Sequence, residues 1–275
     1  MRCLYLDMDG TLLGPGGGLL SAAGGGTSLL GARAIEACSR ADVDVVVMSG
    51  RRRIVAMEDA RLLGGRDSIF ETGAGVSLDG FDGDTHWLTG EWLPGELTIH
   101  EQITRTGAPA LLLDRYPGRL EEHVPWHTGR EVSHLLRGLV DADEANALLA
   151  SEGHGTLRLI DNGAVRRRSP ALADLPEVRA YHLRPEGISK AVAVAAHQRM
   201  RGLDPADCVA VGDSREDLAV AAAVGTFWLV ANAIEHDPGI EVLAGAQANV
   251  RVASAPHGDG VYEAVVSTLA ERGAA

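Results

Sequence analysis

The chain opens with a short apolar run over residues 3–6. It stops abruptly at Asp7-Met8-Asp9-Gly10, a pattern that predicts a buried strand feeding a turn. A glycine-rich stretch over 14–26 follows, without the Lys-Ser/Thr ending of a nucleotide-binding P-loop. Thr27 or Ser28 can cap a helix predicted over 29–41. A second apolar strand over 43–48 ends at Ser49-Gly50-Arg51. A helix over 52–63 and a short strand over 68–71 come next. Strand, helix, strand, helix is the pattern of a parallel sheet covered on both faces.

The pattern then changes. From about residue 82 to 182 the elements are more polar and hairpin-like. Asn162-Gly163 stands between two strand-like runs, 157–161 and 164–168, and predicts a hairpin turn because both residues tolerate positive φ. A helix is expected over 141–150, with Asp141 or Asp143 near its start. The first kind of alternation resumes near Gly187. Ser189 can cap a helix reaching about 201, followed by a strand over 208–211 that ends at Gly212-Asp213. A helix over 215–224, a strand over 227–230 and a helix over 258–272 complete the chain. The expected fold is α/β: a Rossmann-like parallel sheet core with helices on both faces, built from 1–82 and 185–275. An α+β cap domain over 83–184 is inserted into it.

Composition fits this division, since 275 residues are many for one compact core. Aromatics are only 4%, so the core must be built from Val, Leu, Ala and Ile. The formal net charge of −13 argues against nucleic acid and anionic membranes as partners. It also repels a phosphorylated substrate at long range, so a site for one must concentrate positive charge locally from a metal, Lys or Arg. Cys3, Cys38 and Cys208 are odd in number, far apart and set in apolar segments. They read as buried free thiols in a reducing cytosol, which places the protein in the cytoplasm. No stretch approaches the roughly 20 apolar residues of a membrane span, and the N-terminal run is too short for a signal peptide.

Candidate chemistry gathers where the predicted strands end. In an open parallel sheet, ligands bind beyond the carboxyl ends of the strands. Asp7, Asp9, Ser49 and Asp213 all follow buried strands and are expected at that one edge. Asp7 and Asp9 are two positions apart, so in extended backbone both side chains lie on one side, and Gly10 permits a sharp exit. Close carboxylates need a cation, and Asp213 would complete an all-oxygen site suited to Mg²⁺. Asp217, four residues on, shares a helical face with Asp213 and can brace it. Ser49-Gly50-Arg51 offers a hydroxyl and open backbone N–H groups to phosphate oxygens, and Lys190 begins a helix after Gly187-Ile188-Ser189.

In this order the residues resemble the haloacid dehalogenase-like hydrolase superfamily. Asp7-Met8-Asp9-Gly10-Thr11 is similar to its first motif, Ser49-Gly50-Arg51 to the second and Lys190 to the third. Gly212-Asp213-Ser214-Arg215-Glu216-Asp217 is similar to the fourth. An insertion between the second and third motifs looks like the cap of the Cof-like and sugar-phosphatase subgroup. Val230-Ala231-Asn232-Ala233 and Asp259-Gly260-Val261 resemble further stretches of that subgroup. Glu216 departs from it, since Asn often stands there. The resemblance implies a Mg²⁺-dependent phosphatase with Asp7 as nucleophile and Asp9 as general acid and base. Asp7, the Asp9 carbonyl and Asp213 would hold the metal, with Asp217 bracing it, and Ser49, Gly50 and Lys190 would bind phosphate.

The substrate is then expected to be a small phosphorylated metabolite. Arg130, His134 and Arg166 are the cap candidates for reading its leaving group. A stretch around Arg130 is similar to mannosyl-3-phosphoglycerate phosphatases, so a sugar phosphate or glycosyl-phosphoglycerate is one expectation. A phosphosugar mutase would share the core motifs. A glycosyltransferase would explain Asp7 and Asp9 but not Lys190 or Asp213. A metabolite-binding protein without catalysis would have little reason to keep both Asp7 and Asp9.

Overall fold

The computed structural model describes residues 1–165 and 169–273. The chain divides into two compact units, one from Met1–His86 with Ser189–Ala275 and one from Trp87–Ile188. The sequence boundaries fall a few residues earlier at each junction, because strands run on through Thr85 and as far as Pro185.

The strands of the chain are β1 (Cys3–Leu6), β2 (Asp44–Met48), β3 (Ser68–Phe70), β4 (Gly75–Ser77), β5 (Thr85–Trp87), β6 (Leu120–Glu122), β7 (His134–Gly138), β8 (Leu157–Ala164), β9 (Arg179–Pro185), β10 (Cys208–Gly212), β11 (Thr226–Leu229) and β12 (Val250–Val252). The helices are α1 (Leu30–Arg40), α2 (Arg53–Leu62), α3 (Ile99–Thr106), α4 (Ala108–Arg115), α5 (Ala142–Ser151), α6 (Lys190–Arg201), α7 (Arg215–Leu218), α8 (Asn232–His236), α9 (Gly239–Gly245) and α10 (His257–Gly273).

The larger sheet has the order β12-β11-β10-β1-β2-β3-β4-β5. From β12 to β3 every pairing is parallel, and β4 turns back antiparallel on β3. From β1 the chain builds outward through β2 and β3, then returns to lay β10 on the other side of β1. The order therefore reverses between β1 and β10, the position where open sheets of this kind bind ligands. Side-chain alternation shows helices on both faces. Tyr5 meets His197 of α6, while Trp228 donates to Thr268 of α10. Trp228 is in register with Val211, and Val211 with Leu6, the neighbour of Tyr5. Successive strand residues point to opposite faces, so α6 and α10 cover opposite sides. Leu4, Leu6, Val47, Val209 and Val211 are fully buried between these layers, each worth roughly 1.5–3 kcal/mol.

The helix expected over 215–224 is shorter in the structure. α7 ends at Leu218 and tight turns follow over Ala219–Ala223. Side chains from elsewhere take the carbonyls of this segment, Asn249 those of Ala221 and Val224 and Gln198 that of Ala223, so an α-helical ladder is not needed to satisfy them.

The inserted unit carries an antiparallel sheet of order β6-β7-β9-β8 with α3, α4 and α5. Asp141 caps α5 by accepting from Asp143 and Glu144 N–H. Asn162-Gly163 does not form the expected hairpin turn. β8 runs through it and pairs with β9, shifting register between Asp161 and Ala164. Gly163, at φ 94°, donates its N–H to Oδ1 of Asp161, so the positive φ produces a bulge within a strand.

Candidate active site

Strand β1 delivers Asp7 to the sheet edge in a buried position. Its neighbours arrive from β10 and α6. Ser189 caps α6 through Val192 N–H, which sets Lys190 at the first turn. The Lys190 ammonium donates to Asp7 Oδ1 at 2.7 Å and to Asp217 Oδ1 at 2.6 Å. Asp217 is held in turn by a capping box. Its Oδ2 accepts from the N–H groups of Asp213 and Ser214 and from the Ser214 hydroxyl. Asp213 accepts from the Thr11 hydroxyl at 3.3 Å. The turn after β1 passes directly beneath it. Gly10 has φ 88°, and its carbonyl accepts from Asn232 Nδ2 at 2.9 Å and from His257 Nδ1 at 2.8 Å. His257 also gives its N–H to Asn232 Oδ1, which fixes the orientation of that amide.

Asp7, Asp213 and Asp217 each offer a carboxylate oxygen within 4.8 Å of the others. One ammonium among three carboxylates leaves the group short of positive charge. Burial, with the Asp217 charge next, pushes Asp7 up to about 7 despite Lys190. Burial and the charges of Asp7 and Asp217 push Asp213 well above the carboxylate range. Burial opposes the charge of Lys190, but Asp217 and Asp7 outweigh it and raise its pKa. An all-oxygen donor set with uncompensated negative charge fits a hard divalent cation. Asp7 and Asp213 have oxygens to give such an ion, whereas both oxygens of Asp217 are engaged by protein donors.

The other sequence-predicted residues divide. Ser49 is buried at the end of β2, accepts from Arg51 N–H at 3.2 Å, and is followed by Gly50 on the same edge. Asp9 is not one of the three clustered acids, and its carboxylate accepts from Arg51, Nε at 2.8 Å and Nη2 at 2.6 Å. Arg130 and His134 lie in the inserted unit. Arg130 donates to Ser133 Oγ at 3.0 Å. His134 stacks on His100, 3.8 Å between ring centroids, and burial with His100 pushes its pKa down to about 4. Arg166 lies outside the described residues.

Four contributors carried no role in the sequence reading: Thr11, Arg51, Asn232 and His257. Arg51 was visible beside Ser49, but nothing in the sequence said that its side chain would cross to Asp9. Asn232 lay in a stretch of family resemblance without a function attached. His257 sits at φ 51°, a left-handed backbone that no local pattern announces.

No family model matches the chain. A phosphoglycolate phosphatase of Methanoculleus marisnigri is 25% identical over 268 residues, covering 96% of this chain and 95% of that protein. The chain is thus similar over nearly its whole length to a phosphatase, with the residues of the four motifs carried to one sheet edge. Solved structures share the fold of this chain over nearly its whole length. The sucrose-phosphatase from Synechocystis sp. PCC6803, in complex with sucrose and phosphate, superposes with a TM-score of 0.67 at 15% identity, covering 97% and 98% of the two chains. A haloacid dehalogenase-like hydrolase from Bacteroides thetaiotaomicron does so with a TM-score of 0.61 at 17% identity, covering 97% and 99%. Among the described residues of this chain no helix is long and apolar enough to cross a membrane.

Proposed function

We propose that this phosphatase hydrolyses a small phosphomonoester in a Mg²⁺-dependent reaction that passes through an aspartyl-phosphate on Asp7. The observation that carries the reading is the Lys190 ammonium held between Asp7 and Asp217, with Asp213 beside them at the strand-order reversal. Two relatives by sequence or fold are named for different phosphorylated substrates, phosphoglycolate and sucrose phosphate. What they share is phosphoester hydrolysis, and that is what transfers here.

Asp7 attacks phosphorus in line, and the bond to the leaving oxygen breaks as the new P–O bond forms. The leaving alkoxide takes a proton from Asp9. Asp9 then removes a proton from water, which attacks the same phosphorus and releases Asp7. The Ser49 hydroxyl, the Gly50 N–H and Lys190 hold the phosphoryl oxygens and offset their charge. The Asp7 carboxylate, the Asp9 carbonyl and Asp213 would hold Mg²⁺, which when bound supplies electrostatic stabilisation to the transferring phosphoryl group. Asp217 keeps Lys190 and the Asp213 loop in place. The inserted unit is read as a cap that distinguishes leaving groups through Arg130, His134 and Arg166. The buried free thiols of Cys3, Cys38 and Cys208 support a cytoplasmic location.

The test is phosphate release from p-nitrophenyl phosphate and a panel of phosphorylated metabolites, with Mg²⁺ and with chelator. Metal-dependent turnover that Asp7→Asn abolishes is expected. Full turnover in Asp7→Asn, or none by the wild type on any phosphomonoester, would overturn the reading.

A further inference from the structure

Arg51, beside Ser49 at the strand edge, is a cation that the mechanism above leaves without work. Its backbone is pinned on both sides: its N–H donates to Ser49 Oγ and its carbonyl accepts from Glu71 N–H. Its guanidinium meets both oxygens of Asp9, while Nη1 donates to Asp59 of α2 at 2.9 Å. Asp59 thus fixes one edge of the plane and Asp9 is gripped by another.

The pair does little for stability. The Asp9 side chain is 59% exposed and that of Arg51 25%, and ion pairs open to water contribute little to folding. What the pair supplies is direction. A planar, two-point grip fixes a carboxylate far more tightly than a single ammonium can. It uses one lone pair on each oxygen and leaves the second on each for another partner. Asp9 follows Asp7 by two residues at a glycine-containing turn. Without such a grip its exposed side chain would be free to sample several rotamers.

We propose that Arg51 is a positioning residue for Asp9, an aspartate-anchored guanidinium that aims the free lone pairs of the Asp9 carboxylate for its proton transfers. This rests on the reading of Asp9 given under the proposed function. Arg51 acts through Asp9 and makes no contact with the transferring phosphoryl group.

The experiment uses the full chain with Mg²⁺ and an alkyl phosphomonoester. It compares wild type, Arg51→Gln, Arg51→Lys, Asp59→Asn, Asp9→Asn and the Asp9→Asn/Arg51→Gln double variant. Arg51→Gln is expected to lower kcat by roughly 10- to 100-fold with KM changed by no more than about twofold, the signature of a misaimed catalytic group. Arg51→Lys recovers part of the loss, and Asp59→Asn gives a smaller loss in the same direction. In the Asp9→Asn background, Arg51→Gln costs nothing further, and the thermal midpoint stays near that of the wild type. A raised KM with kcat intact would make Arg51 a substrate contact instead. An equal loss in the Asp9→Asn background, or a lowered midpoint, would make it support for the loop. Wild-type kinetics in Arg51→Gln would make the pair idle. If the wild type itself releases no phosphate, the proposed function fails first, so the two failures are distinguishable.

Discussion

Gly10 passes so close beneath Asp213 that a Cβ on it would lie 2.2 Å from Oδ2 of that carboxylate. The approach lets the turn after β1 reach the end of β10, with Asn232 and His257 holding the Gly10 carbonyl. Gly10→Ala meets two obstacles, the clash and the φ of 88°. The left-handed backbone alone costs about 1–2 kcal/mol in a residue with a Cβ. Urea denaturation should show at least that loss, and phosphate release should fall with it as Asp213 is pushed aside.

Removal of the Lys190 charge should be more damaging. The side chains of Lys190, Asp7 and Asp217 are only 4%, 7% and 1% exposed. Breaking a buried pair leaves an uncompensated charge, at a cost of roughly 3–5 kcal/mol. Lys190→Met should therefore lose stability of that order along with its activity. Pairing it with Asp7→Asn should restore part of the stability, because one of the two stranded carboxylates is then neutral. Denaturation curves of the single and double variants check this.

Asp7 also gives the metal-free protein a signed pH dependence. Its pKa rises on folding from 3.8 to about 7. The folded state then binds the proton more tightly, so the contribution of Asp7 is fully present below the unfolded value and is lost as pH rises through the folded one. His123 and His134 act oppositely in much the same window. Each is pushed down from 6.5 to about 4, so each adds stability as pH rises. The total slope is thus a poor guide, and the difference between wild type and Asp7→Asn isolates the carboxylate. In chelator, that difference should turn against the wild type between about pH 4 and pH 7. Mg²⁺ should reverse it by binding the folded state, and should raise the midpoint of Asp213→Asn much less. Thermal unfolding across that pH range, with and without metal, reads both effects.

Much of the core was legible because its signals are local. Apolar runs ending in Asp7, Ser49 and Asp213 mark strands buried on both faces, and Ser189 marks a helix start by the chemistry of its side chain. The failures have physical causes. Asn162-Gly163 carries the same positive-φ preference whether it turns a hairpin or bulges a strand, and only the partner strand β9 decides between them. The segment after Leu218 reads as helix until Asn249 and Gln198, distant in sequence, take its carbonyls. Arg51 on Asp9 and His257 on Gly10 are long-range contacts that no spacing encodes.

A buried chain two turns farther along α6 supplies a control away from the chemistry. The Tyr5 hydroxyl meets His197 Nδ1 at 2.8 Å, and His197 Nε2 meets Asp67 at 2.8 Å. Arg201 grips both oxygens of Asp67. Burial alone would raise Asp67, but the His197 and Arg201 hydrogen bonds outweigh it and hold its pKa below the usual carboxylate range. The stability this supplies is present above the unfolded carboxylate value and is lost as pH falls through the folded one. Asp67→Asn should cost about 1–3 kcal/mol at neutral pH. It should leave kcat unchanged, as measured by denaturation and phosphate release on one preparation.

The chemistry on Asp7 can be trapped. The enzyme is quenched in acid during Mg²⁺-supported turnover of a radiolabelled phosphomonoester, digested, and its peptides mapped. Label should appear on the peptide carrying Asp7 and vanish in Asp7→Asn. Phosphate released at the wild-type rate from a protein that never carries label, or label on any other residue, would contradict nucleophilic attack by Asp7.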